Sequence, residues 1–286
     1  MSGNEFLVTP MNQVVELDPG QKCDLSITIL NPTNSTESLE YKAYVVPYSV
    51  VSEGYDADIA TRTTYTQMAD WITIHEPTGK LAPNEMRELN FTIEVPENVP
   101  GGGQYAAIAV EVDHENKTHD NMAVANTLEI ASVIYAKIAG ETIHEGEILE
   151  NNVPGFSTAS PITVSSMIEN KGNVHEAVRI VVTASNFFTG EVIAQEGTNN
   201  GTYAELVMPE STRYFSKEID ELPMVGVFRV KQDIYYNGVV STVEKNVLVC
   251  PIWFMLLVIL AIGGVVFEIV RIVLKHKKFK QYSRRK

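Results

Sequence analysis

Apolar and polar residues alternate in short runs from Leu25 to Val249, and no long segment before Ile252 repeats at helical spacing. Leu25, Ile27 and Ile29 alternate until Asn31-Pro-Thr-Asn34 stops the run, and Tyr41, Ala43 and Val45 follow. Leu89, Phe91, Ile93 and Val95 repeat the pattern before Pro96 and Pro100-Gly-Gly-Gly103. Ile108, Val110 and Val112 come next, and Leu128 to Ile138 ends the set. Side chains two residues apart share one face of a strand, so each run buries one face and wets the other. Runs of this kind, punctuated by Pro, Gly, Asn and Asp, predict an all-β chain.

A second set follows the same order. Ile162 and Val164 lead to Asn170-Lys-Gly-Asn173, then come strands at Val178–Val182, Thr212–Ile219, Val227–Tyr236 and Thr242–Val249. Each set has a strand ending in Asn (Asn31, Asn170) and a Pro four residues before an Arg (Pro83 and Arg87, Pro209 and Arg213). Each also has a Gly-x-aromatic corner, Gly103-Gln-Tyr105 and Gly226-Val-Phe228. In immunoglobulin-like sandwiches an aromatic at this corner pins the sheets, and Phe228, lacking a hydroxyl, keeps only packing. We therefore expect two tandem immunoglobulin-like β-sandwich domains, residues 1–140 and 141–249, with a boundary in the Gly- and Asn-rich stretch 139–154 and a short stalk beneath.

Ile252 to Phe267 is uninterrupted apolar sequence, extended to Leu274 past Glu268 and Arg271. That length suits a transmembrane helix, which needs about 20 residues. The expected division is a span at 250–274 and a tail at 275–286. The tail holds Lys275, Lys277, Lys278, Lys280, Arg284, Arg285 and Lys286, and under the positive-inside rule it is cytoplasmic. The amino-terminal part is then extracellular, in a single-pass protein of the cell membrane. Met1 to Phe6 shows no basic or apolar signal region, so a signal peptide removed beforehand is expected. The chain carries −14 overall, but the part before Pro251 has 14 Lys+Arg against 35 Asp+Glu, a balance of −21. Such a surface repels nucleic acid. Cys23 and Cys250 lie too far apart in the expected architecture to bridge.

The residues offer little catalysis. His-Glu occurs at His75, His114, His144 and His175 without a second His at zinc-protease spacing, and there is no nucleophile elbow or phosphate loop. No enzyme activity and no cofactor are expected. Asp113, His114, His119 and Asp120 share one hairpin loop and are the weak metal candidates, oxygen ligands suiting a divalent cation and histidine favouring zinc or nickel. The long excursion 51–71 holds Tyr55, Tyr65 and Trp71, which either form a binding face or fold back over the sandwich. Asn34, Asn90, Asn116 and Asn200 open glycosylation-type triplets that do not settle the host. Glu268 and Arg271, three apart, can pair on one helix face; they either snorkel at the inner interface or meet a partner helix.

Val8-Thr-Pro-Met-Asn-Gln13, Leu17-Asp-Pro-Gly-Gln21 and the strand ending in Asn31 resemble the start of the WxL-interacting proteins, a family of Gram-positive surface proteins. Pro96 to Ile108 is similar to that family's first-domain corner. The resemblance implies two sandwiches and a carboxy-terminal span. It also implies peptidoglycan binding by the first domain and host-protein binding by the second, beside surface proteins bearing a Trp-x-Leu motif. The expected function is a non-enzymatic, membrane-anchored cell-surface protein binding wall polymer (peptidoglycan) or another surface protein, as adhesin or scaffold. The alternative is an accessory subunit or extracytoplasmic chaperone-like component of a membrane complex, docked through its helix.

Overall fold

The computed structural model describes residues 6–32, 38–50, 57–58, 62–113, 127–197, 205–220 and 222–283. The fold is mostly β-sheet with one carboxy-terminal apolar helix. The first half begins with β1 (Leu7–Thr9), β2 (Asn12–Leu17), β3 (Lys22–Leu30) and β4 (Leu39–Pro47). A small pair, β5 (Ser49–Val50) and β6 (Ala57–Asp58), and a single 3-10 turn at Gln67–Asp70 follow. Then come β7 (Ile72–Ile74), β8 (Thr78–Leu81), β9 (Met86–Glu94), β10 (Gly102–Asp113) and β11 (Thr127–Ile138). The strands form two facing sheets, β1-β3-β9-β7 and β2-β11-β10-β4-β8. Ile27, Ile29, Leu89, Phe91 and Ile93 from one and Ile108, Val110, Ile134 and Ile138 from the other meet in one buried cluster. Alternation in the sequence thus becomes the inward face of a β-sandwich.

The second half contains β12 (Gly146–Asn152), β13 (Phe156–Ser157), β14 (Ile162–Asn170), β15 (Glu176–Asn186) and β16 (Val192–Gly197). It continues with β17 (Glu205–Val207), β18 (Ser211–Ile219), β19 (Gly226–Tyr236) and β20 (Val239–Val249), before α1 (Ile252–Ser283). Sheets β12-β14-β18 and β13-β20-β19-β15-β16 enclose a second cluster that includes Ile168, Ile180, Val230, Ile234 and Val247.

Most pairings recur in the two halves, although among the described residues β7 beside β9 and β16 beside β15 have no counterparts. The opening segment switches sheets in each: β1 pairs β3 and β2 runs parallel to β11, while β12 pairs β14 and β13 runs parallel to β20. Strand β8 edges β4 as β17 edges β15. The repeated residues occupy matching places. Asn31 is buried and its amide donates to Leu81 O, as buried Asn170 donates to Val207 O. Asn84 and Glu210, each one residue past the repeated Pro, are both left-handed, with φ of 61° and 48°.

The corner aromatics also match. A Cβ on Gly226 would lie 2.7 Å from the Phe228 ring, and one on Gly103 would overlap the Tyr105 ring and hydroxyl. Each aromatic therefore lies flat along its own strand over a glycine that cannot carry a side chain.

Within the stretch 139–154, Gly146–Asn152 forms edge strand β12 of the second half. Its register slips at Leu149, which breaks the alternation that marks a strand in sequence. No stalk separates the sheet from the helix: only Cys250 and Pro251 lie between β20 and α1, and the Cys250 amide still donates to Ser157 O at 2.9 Å.

The segment Ile252–Leu274 is long and apolar enough to cross a membrane, with a mean hydropathy of 2.6 and none of it buried. Within it, Arg271 donates to Glu268 at 2.9 Å. Cys23 and Cys250 are free thiols.

Candidate binding surface

Of the metal ligands expected from the sequence, His114, His119 and Asp120 lie outside the described residues, and only the backbone of Asp113 is described, at the end of β10. Tyr55, Asn34, Asn116 and Asn200 are also outside them. Asn90 is exposed on β9. Among the described residues no group of three or more His, Cys, Asp or Glu could hold a metal.

Tyr65 and Trp71 have different roles. Trp71 is half-buried against the first core, and Met68, three residues earlier, is fully buried there. This end of the excursion folds back over the sandwich. Tyr65 instead faces the second half, where burial and the nearby Glu210 carboxylate push its hydroxyl up to about 12.

One constellation resembles catalytic equipment. His75 Nε2 lies 2.9 Å from Thr92 Oγ1, which donates to Asp24 at 2.5 Å. The order is wrong for a nucleophile, because the hydroxyl proton goes to the carboxylate and the imidazole contributes its own N–H. Thr92 is also buried.

The junction between halves follows from unequal strand lengths. β4 pairs β10 only from Ala106 onward, so the outward amides of Gly103 and Tyr105 need other acceptors. Asn173 O takes the first and Tyr65 O the second, both at 2.8 Å. The Asn173 side chain also donates to Gly101 O and Glu141 O and accepts from the Ile143 amide, tying first half, connection and second half together. Gly102, at φ 135°, brings the backbone against Asn173, where a Cβ would stand 2.8 Å from its carbonyl.

Behind it, the fully buried Tyr105 hydroxyl accepts the His175 amide at 2.8 Å and lies 3.1 Å from His175 Nδ1. The rings of Tyr105, Tyr135 and His175 pack at 5.4 to 6.0 Å. Burial raises the Tyr105 and Tyr135 hydroxyls and lowers His175, leaving the imidazole neutral near pH 7. The adjoining cleft, lined by Tyr48, Tyr65, Tyr105 and Glu210, encloses about 160 Å³. Ligand sites usually hold about 300 Å³ or more. This cleft is a seam rather than a substrate pocket. In the sequence, Asn170-Lys-Gly-Asn173 reads only as a turn; three consecutive glycines at a strand entrance were the available signal for a close partner.

The surface best suited to a partner is the edge of β11. Strand β2 covers it only from Val133 to Ile138. The Val133 amide points outward to Met11 O, so by the two-residue period the N–H and C=O groups of Glu129 and Ala131 point outward too. Among the described residues nothing pairs with them. Leu128 and Ile130, half-buried against the first core, leave an apolar flank beside this edge. The corresponding edge of β20 carries Glu244, Lys245 and Asn246, and Lys245 reaches across to Val153 O. Polar and charged residues guard edges against pairing. β20 carries three such residues in a row, whereas at the start of β11 Glu129 stands between the apolar Leu128 and Ile130.

No protein-family model matches the chain, and no curated protein matches it in sequence. Solved structures similar to it include the class 5 fimbriae chaperone CfaA, at 13% identity over 84% of this chain and 99% of that one, with a TM-score of 0.42. The Salmonella enterica SafA pilin–SafB chaperone complex is similar at 10% identity, 86% and 97% coverage and a TM-score of 0.40. The Pseudomonas aeruginosa CupB2 chaperone is similar at 10%, 83% and 98%, with a TM-score of 0.37. At these scores the likenesses carry no functional argument.

Proposed function

We propose that this chain is a non-enzymatic, membrane-anchored binding protein that holds an extended segment of another extracytoplasmic protein against the free edge of β11. This is the accessory or chaperone-like role, reached through the ectodomain. The observation that carries it is the run of outward backbone groups at Glu129 and Ala131, without a strand partner among the described residues and flanked by Leu128 and Ile130. Strand addition satisfies both donors and acceptors of an incoming backbone and takes specificity from alternate side chains. The two halves are read as domains 1–140 and 141–249, with α1 as a single span, the sandwiches outside and the basic tail inside. The family resemblance points to a neighbouring surface protein with a Trp-x-Leu motif as the occupant. The wall-polymer reading has no comparable feature of geometry behind it.

A photo-crosslinker at Glu129 in the full chain, expressed in its own cell, tests this. Capture of one extracytoplasmic protein, lost when Ala131→Pro removes the outward N–H, is the expected result. Peptidoglycan co-sedimentation that is unchanged by Ala131→Pro, with no protein captured, would return the wall-polymer reading to first place.

A further inference from the structure

The end of the second half from which α1 departs carries an uncovered apolar rim. Strand register fixes its position: Gly226 stands opposite Val249, Asn186 opposite Phe228, and Phe156 beside Leu248. The β15–β16 turn, the β18–β19 connection and β13 therefore all lie at the level where the chain enters the helix. Phe188 in that turn is 82% exposed and Met224 in the connection 65% exposed, and Phe156, Val192 and Phe187 are also exposed.

The turn is built, not frayed. Asn186 Oδ1 accepts the amides of Phe188 and Thr189 at 2.8 and 3.1 Å, and Gly190 donates back to Asn186 O. Phe187 packs edge-on against Phe188, with Arg229 over its other side. Exposed apolar side chains gathered at one end of a domain, unlike those scattered singly, mark a surface that meets another apolar one.

We infer that this rim is a foot that dips into the outer interfacial layer of the bilayer. The inference rests on reading α1 as a membrane span. The three residue steps from Val249 to Ile252 reach at most about 11 Å. The polar headgroup zone on each side of a bilayer is about 5 to 8 Å deep. The strand ends therefore lie within a few ångströms of that zone or inside it, and Phe188, two residues past the end of β15, is placed to enter it. Trp253, at the start of the helix, lies where aromatic side chains collect at membrane interfaces. Glu191 and Asp220, exposed at the same end, make anionic headgroups poor partners, so the contact is apolar and suits zwitterionic lipid.

The test uses the full chain in phosphatidylcholine liposomes with Cys23→Ser and Cys250→Ser. An environment-sensitive fluorophore is placed at Phe188→Cys, or at Val239→Cys at the far end of the same sheet. A blue-shifted emission at 188, quenched by shallow spin-labelled lipid several-fold more than at 239, is expected. Equal, unquenched emission at both positions in a chain that floats with the liposomes would overturn the foot and leave the span intact. A chain that does not float would remove the span and the foot together.

Discussion

Asn170 sits at 0% exposure and its amide donates to Val174 O and Val207 O while its oxygen accepts from Gly172. Asn170→Ala removes all three of these bonds from buried backbone groups. At about 1–3 kcal/mol for each buried group left unsatisfied, a loss of at least about 2 kcal/mol is expected in urea unfolding. Sequence alone marked Asn31 and Asn170 as strand ends; that both are buried brackets was hidden, because an Asn in an exposed turn looks the same. His175 supplies a pH dependence. Burial lowers its folded pKa below the ordinary 6.5, so the unfolded chain takes up the proton first. Stability should therefore be full above about pH 6.5 and decline as the pH falls from there toward the folded value. His175→Phe keeps the ring packing and should flatten that part of the profile, read as the urea midpoint from pH 7.5 to 5. Tyr105→Phe, which leaves the His175 amide without its hydroxyl, should destabilise by about 1–2 kcal/mol without altering the slope's sign.

Among elements, long strands with clean alternation were legible: β3, β9, β10, β14, β18 and β19 lie where the apolar periods put them. Short edge strands such as β1, β7, β13 and β17 were not, since two or three residues carry too little period to separate from loop. The open edge of β11 was hidden as well. Whether a strand lies at an edge is decided by which distant segment comes beside it, here β2 stopping opposite Val133. The Gly-x-aromatic corner was visible, but its reason was not. Gly226→Val would drive a branched side chain into the Phe228 ring, whose face stands 2.7 Å from the added Cβ. Overpacking of this kind costs about 1–3 kcal/mol. A lowered melting temperature for Gly226→Val, partly relieved by adding Phe228→Ala, is the expected signature.

At the scale of the molecule, the acidic balance and apolar terminal segment were plain in composition, whereas the seam between halves depended on one turn residue. Asn173→Ala removes the side-chain bonds to Gly101, Glu141 and Ile143 that join three segments. In calorimetry of the full chain this variant should separate the unfolding of the two halves into distinct transitions that run together in the parent protein. A single unshifted transition would mean that the aromatic packing at Tyr105 and His175 couples the halves unaided. The two-residue passage from β20 to α1 has one more consequence. With the Cys250 amide fastened to Ser157, only the torsions of Cys250 and Pro251 separate sheet from helix, which ties their orientations closely together. If α1 spans a membrane as proposed, whatever fixes the azimuth of the helix, with the Glu268–Arg271 pair as the polar landmark of its apolar segment, would then also set the compass bearing of the β11 edge.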